Sequence, residues 1–102
     1  MIRLPYGFMV NQDDVIITNE KEAVIVKSVF QNYLSGDSIG KIAAKLSETG
    51  ISPPFGNQTW SYATINKILS EYRYISSVIS EEQFLITQIE KEKPHDTVRR
   101  MY

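Results

Sequence analysis

The sequence predicts a small α+β domain in which a short N-terminal β-hairpin packs on three to four helices. Three observations carry this prediction. Two β-prone runs flank a turn cluster within residues 5–18, and separate later stretches repeat apolar residues at helical spacing. The third is size: 102 residues, 42% of them hydrophobic, suit one compact unit. A chain of this length buries roughly 65% of its unfolded surface. Six Tyr, four Phe and one Trp can fill the resulting core without a disulfide or a metal.

In the hairpin, Tyr6–Val10 and Val15–Thr18 are the strand runs, and Asn11-Gln12-Asp13-Asp14 is the turn between them. A long helix over about 20–35 follows. Asn19 is placed to cap it, Glu22 stands where a side chain can reach back to the cap, and Gly36 ends it. Ala23, Val26, Val29, Phe30 and Tyr33 form its inward stripe. A second helix, about 38–49, is capped by Ser38 and closed by Gly50, with Ile39, Ile42, Ala43 and Leu46 on one face. Pro53, Pro54 and Gly56 exclude helix from the connector. Trp60 is expected to anchor that connector to the core. Ser61 caps a third helix, about 61–71, whose inward stripe is Ile65, Ile68, Leu69 and Tyr72. Ile75–Ile79 reads as a weak strand or extended stretch. Ser80-Glu81-Glu82-Gln83 is a capping-box pattern opening a fourth helix, about 81–93, through Phe84, Leu85, Ile86 and Ile89. The domain is expected to span 1–93, with 94–102 as a tail or the start of a linker.

Composition narrows the chemistry. Without Cys there is no disulfide, thiol nucleophile or Cys-ligated zinc, and the single His95 excludes a His-rich metal centre. No Ser has a recognisable base beside it, so the chain is read as non-catalytic and without a cofactor. No apolar run approaches the ~20 residues of a membrane span and no signal-peptide pattern opens the chain, so a soluble cytoplasmic module is expected. A formal net charge of −1 gives no global pull toward nucleic acid, and any such role must rest on a local patch.

An ordered set of short motifs runs along nearly the whole chain. It begins with Pro5-Tyr6-Gly7-Phe8, Asn19-Glu20-Lys21-Glu22-Ala23 and Ile25-Val26-Lys27-Ser28-Val29-Phe30. Tyr33-Leu34-Ser35-Gly36 and Ser38-Ile39-Gly40-Lys41-Ile42-Ala43 with Leu46 come next, then Gly50-Ile51, Pro53-Pro54 and Gly56. Trp60-Ser61, Thr64-Ile65, Ile68-Leu69 and Tyr74 complete it. In order and separation this set resembles the Recombinase domain of large serine recombinases, the serine integrases and transposon resolvases. Two departures stand out. Where members of that family usually carry Asn-Pro shortly before the final Tyr and Gly two residues after it, this chain has Glu71-Tyr72 and Ser76. The connector, at Asn57-Gln58-Thr59, is also less basic than is typical.

The resemblance implies a helix-turn-helix-like core over 38–71 that binds double-stranded DNA within a bacterial or phage-encoded, nucleoid-associated recombinase, positioning it on its attachment site. It also implies that the chain is a segment of a larger protein, with partner domains in the catalytic Ser domain and a zinc ribbon. On the third helix Ser61, Tyr62, Thr64, Asn66 and Lys67 supply donors and acceptors suited to base edges and phosphates. Lys41, Lys45 and Arg73 are candidates for phosphate neutralisation, and Asn57 and Gln58 for contacts from the connector. Taken alone, Lys41 and Lys45 read first as the solvated face of an amphipathic helix. The alternatives are a protein-interaction module or a small stand-alone transcriptional regulator built on the same fold. The regulator would be a stable dimer, whereas the isolated recombinase domain is expected to be a monomer.

Overall fold

A computed structural model describes residues 4–54 and 59–92. Its elements follow the expected order: strands β1 (Phe8–Val10) and β2 (Ile16–Thr18), then helices α1 (Glu20–Leu34), α2 (Ile39–Glu48), α3 (Tyr62–Leu69) and α4 (Glu81–Glu92), with a 3-10 turn at Tyr72–Tyr74 between the last two helices. β1 and β2 pair antiparallel with Phe8 opposite Thr18 and Val10 opposite Ile16. Asn11 shapes the turn: its Oδ1 accepts from the amides of Asp13 (2.8 Å) and Val15 (3.0 Å).

The strands are shorter than the β-prone runs because Tyr6 and Gly7 leave the ladder. Gly7 has φ +110°, and an added Cβ would lie 3.4 Å from both Tyr74 Cε1 and Val26 Cγ2. Its amide donates to Glu22 Oε1 (2.8 Å), while its carbonyl accepts from the Asn19 amide (2.8 Å). Asn19 does cap α1, taking the Glu22 amide on Oδ1 at 3.2 Å. Glu22, however, does not close the expected box. Its carboxylate holds the N-terminal segment against α1 instead.

Each helix buries the stripe that its spacing predicts: Ala23, Val26, Val29, Phe30 and Tyr33 from α1, Ile39, Ile42, Ala43 and Leu46 from α2, and Ile65, Ile68 and Leu69 from α3. α1 touches all three other helices, and α3 packs between α2 and α4. Aromatic rings run through the centre. Tyr74 stacks on Phe8 (5.8 Å) and meets Phe30 edge-on (6.2 Å), Phe30 reaches Phe84 (6.4 Å), and Trp60 meets Tyr6 edge-on (5.6 Å). Tyr74 Oη donates to the Tyr6 carbonyl, tying the chain's beginning to the turn after α3. Trp60 is buried as expected, its Nε1 donating to the Ile51 carbonyl at 2.9 Å.

Two details of the sequence reading need correction. Helix α3 stops at Leu69, because the Ser70 amide folds onto the carbonyls of Asn66 and Lys67 and Glu71 starts a separate 3-10 turn. That break moves Tyr72 from the inward stripe to 68% exposure and delivers Tyr74 to the core. Ile75–Ile79 is not a strand but a tight turn. The Ser76 amide donates to the Ile79 carbonyl (2.8 Å), the Val78 amide to that of Tyr74 (2.9 Å), and Val78 and Ile79 are both buried. In α4 only Phe84 and Thr87 are buried, while Leu85, Ile86 and Ile89 are exposed.

The Ser80 capping box forms in full. The Gln83 amide donates to Ser80 Oγ (3.1 Å), and the Ser80 amide donates to Gln83 Oε1 (3.3 Å).

Candidate nucleic-acid interface

The described candidates fall on the outer side of the α2–α3 pair, which is held together from within by the two apolar stripes, and, for Arg73, on the 3-10 turn that follows α3. Ser61 caps α3, its Oγ accepting from the Thr64 amide (3.3 Å) and lying 3.1 Å from Thr64 Oγ1. The hydroxyls of Ser61 and Thr64 therefore already engage each other at the start of the helix. Tyr62 is 63% exposed and lines a cleft of about 210 Å³ with Asp37, Ser38 and Gly40 at the entrance to α2. Asn66 is half-buried, one turn further along the same helix. Lys67 is exposed and shares a second groove, about 330 Å³, with Ala63, Thr64, Glu71 and Arg73. Pro5, Tyr6 and Pro54 form its far wall. Asn57 and Gln58 lie outside the described residues.

The cations are not simply presented to solvent. Asp37, in the short loop between α1 and α2, accepts from Lys45 Nζ at 2.9 Å and pairs with Lys41 Nζ at 3.4 Å. Glu71 caps the 3-10 turn by accepting the Arg73 amide (3.0 Å). The same carboxylate takes Arg73 Nε and Nη2 at 2.8 Å each, a bidentate fork. The hydrogen bond from Lys45 holds the Asp37 carboxyl below the usual carboxylate range, with Lys41 adding to the effect. The Arg73 hydrogen bond does the same for Glu71, and the charge of Lys67 acts in the same direction.

The two grooves thus divide the candidates into two groups. Lys41, Lys45 and Tyr62 gather around Asp37, and Thr64, Lys67 and Arg73 gather around Glu71. The sequence reading missed two participants, Asp37 and Glu71. A signal for the first was available, since Asp37 precedes Lys41 by four residues and a carboxylate at that spacing is expected to meet the lysine. Glu71 is hidden by the expectation that α3 continues through it.

The far end of α3 is secured by α4. Gln88 Nε2 donates to the Leu69 carbonyl (2.7 Å), and Lys91 Nζ donates to Ser70 Oγ. Partial burial lowers the pKa of the Lys91 ammonium. No group of three or more metal-ligating side chains occurs among the described residues. Nor is any described helix long and apolar enough to cross a membrane.

Comparison with known proteins gives this geometry its context. No curated protein matches the chain. A solved structure reported as "Sequence Requirements of the Listeria innocua prophage attP site" has the same fold. It aligns over 82% of this chain at a TM-score of 0.61 and 22% identity, and the match takes in 40% of that chain's length. The family model for Recombinase matches residues 20–101, from the first turn of α1 to beyond α4. On that match the chain belongs to the Recombinase family, the one that its ordered motifs resemble.

Proposed function

We propose that this chain is a duplex-DNA-docking domain of a serine site-specific recombinase, which places the parent enzyme on its attachment site while strand cleavage and exchange occur in a separate catalytic domain. The observation that carries the reading is α3. It is short and fixed on its inner side by Ile65, Ile68 and Leu69, while its capped N-terminus and outer side present Ser61, Tyr62, Thr64 and Lys67. A rigid helix with hydrogen-bonding groups near its N-terminus is what major-groove reading requires. Asn66 and Lys67 suit base edges or phosphates, and Lys41, Lys45 and Arg73 suit backbone phosphates on either side. Four such cations give a salt dependence of at most about −3.6 in log K against log salt, at roughly −0.9 per phosphate. An isolated copy is expected to bind near the ~10⁻⁴–10⁻⁶ M of non-specific contacts and to remain monomeric.

The test is an NMR titration of the labelled chain with a generic duplex at low salt. Shifts clustered on Lys41, Lys45, Ser61–Lys67 and Arg73 that fade as salt rises support the reading. If nothing shifts on that face, it is wrong. A second reading, a protein-interaction module, draws on the exposed apolar residues Met9, Val10, Val15 and Ile16 of the hairpin and Leu85, Ile86 and Ile89 of α4. It predicts no duplex binding at any salt concentration.

A further inference from the structure

Both cation groups of the interface are organised around a recessed acid. The Asp37 side chain is 19% exposed, against 60% for Lys41 and 51% for Lys45. Glu71 is 14% exposed, against 43% for Arg73. The acids are also fixed by more than their partners. Glu71 is tied to the backbone as the cap of the 3-10 turn, and Asp37 sits in the four-residue corner between α1 and α2, where its own amide donates to the Asn32 carbonyl (3.0 Å). The Glu71 carboxylate is therefore held in place when another anion approaches, and Asp37 is anchored through its backbone.

This arrangement changes what a phosphate gains by docking. The Nε/Nη2 edge of Arg73, the edge that would grip a phosphate bidentately, is already filled by Glu71. Lys45 directs one donor to Asp37. A phosphate arriving at either group exchanges with a carboxylate or shares cations with it, and it meets the repulsion of a recessed negative charge. Resting on the DNA-docking reading, we propose that Asp37 and Glu71 are affinity-setting residues of the interface: built-in competitors for the phosphate-binding cations that keep the isolated domain weak on generic duplex. Docking strength is then supplied by base contacts or by the other domains of the parent, which favours the correct site over bulk DNA. Asp37 and Glu71 need not touch DNA. They act through Lys41, Lys45 and Arg73.

The experiment compares the 102-residue chain with Glu71→Gln and Asp37→Asn by fluorescence anisotropy on one labelled generic duplex across a salt series. Glu71→Gln keeps an oxygen to cap the Arg73 amide, and circular dichroism checks the fold of each variant. Asp13→Asn in the hairpin turn and Glu81→Gln at the start of α4 remove the same charge elsewhere. Glu71→Gln is expected to tighten low-salt binding by up to about fivefold, the upper end of what a surface ion pair is worth. Its salt dependence should steepen by about 0.9, one further phosphate contact. Asp37→Asn should shift both readings in the same direction, and the two controls should leave the slope unchanged. If all the proteins bind alike, or if the controls tighten binding as much as the interface variants, the competitor role is overturned and DNA docking stands. If none of them binds duplex even at low salt, the docking reading itself fails and the competitor role fails with it.

Discussion

Helices α3 and α4 lie side by side and are built in opposite ways. α3 has eight residues and buries three large aliphatic side chains, leaving an outer side that is mainly polar. α4 has twelve residues but buries only Phe84 and Thr87, and it leaves Leu85, Ile86 and Ile89 exposed. α4 is held by packing on α1, with Phe84 against Phe30, and by hydrogen bonds to the end of α3 through Gln88 and Lys91. The contrast teaches that apolar content does not measure how firmly a helix belongs to a core. α3 is positioned by its packing, and α4 serves as a brace for it.

The largest expected difference between the two is in side-chain truncation. Leu69→Ala, at a fully buried position of α3, should cost about 2–5 kcal/mol in denaturant unfolding. Leu85→Ala on the exposed side of α4 should change stability by less than about 0.5 kcal/mol. If the two costs were equal, the distinction between packed helix and brace would be wrong. Next comes the brace itself. Gln88→Ala leaves the Leu69 carbonyl without that donor and should cost about 1 kcal/mol. Its amide-exchange signature should be confined to the α3 end and the 3-10 turn.

A smaller effect of opposite sign is expected just past that turn. Ser76 has φ +74°, a left-handed conformation that glycine adopts without strain. Ser76→Gly should therefore stabilise the chain by up to about 1 kcal/mol. A loss of stability would mean that the Ser76 side chain has a role of its own.

Alkaline pH probes the aromatic seam beneath α3. Burial, with a contribution from Glu22, pushes the Tyr6 phenol from 10.0 up to about 12, and burial pushes Tyr74 up further. A raised phenol means that the folded state holds the proton more tightly than the unfolded chain does. The stability this gives is complete below pH 10 and is lost as the pH rises through the folded value, about 12 for Tyr6. Tyr6→Phe should flatten that alkaline slope. If the slope were identical in the variant, Tyr6 would not be the group responsible.

Much of the fold was legible because the deciding interactions are short in sequence. The apolar stripes of α1, α2 and α3, the caps Asn19, Ser38 and Ser61, and the Ser80–Gln83 box all act within four or so residues, and each appears in the structure. The order of motifs along the chain was also sufficient to point to the Recombinase family. The outward side of α3 was legible for the same reason, since helical spacing assigns its faces.

Long-range contacts settled the rest. Glu22 had an adequate local partner in its cap, yet its carboxylate goes to Gly7, fifteen residues away, because the N-terminal segment has to cross α1 at that point. Tyr72 and Tyr74 are interchangeable by composition. The end of α3 at Ser70 and the bond from Tyr74 to the Tyr6 carbonyl decide which ring is inside. The pairing of Lys41 and Lys45 with a shared Asp37, and of Arg73 with Glu71, also depends on where two corners of the backbone turn. Periodicity reports which side of a helix is wet. Whether a charge on that side meets a carboxylate depends on how the neighbouring loop is folded, and that is set by the packing of the whole domain.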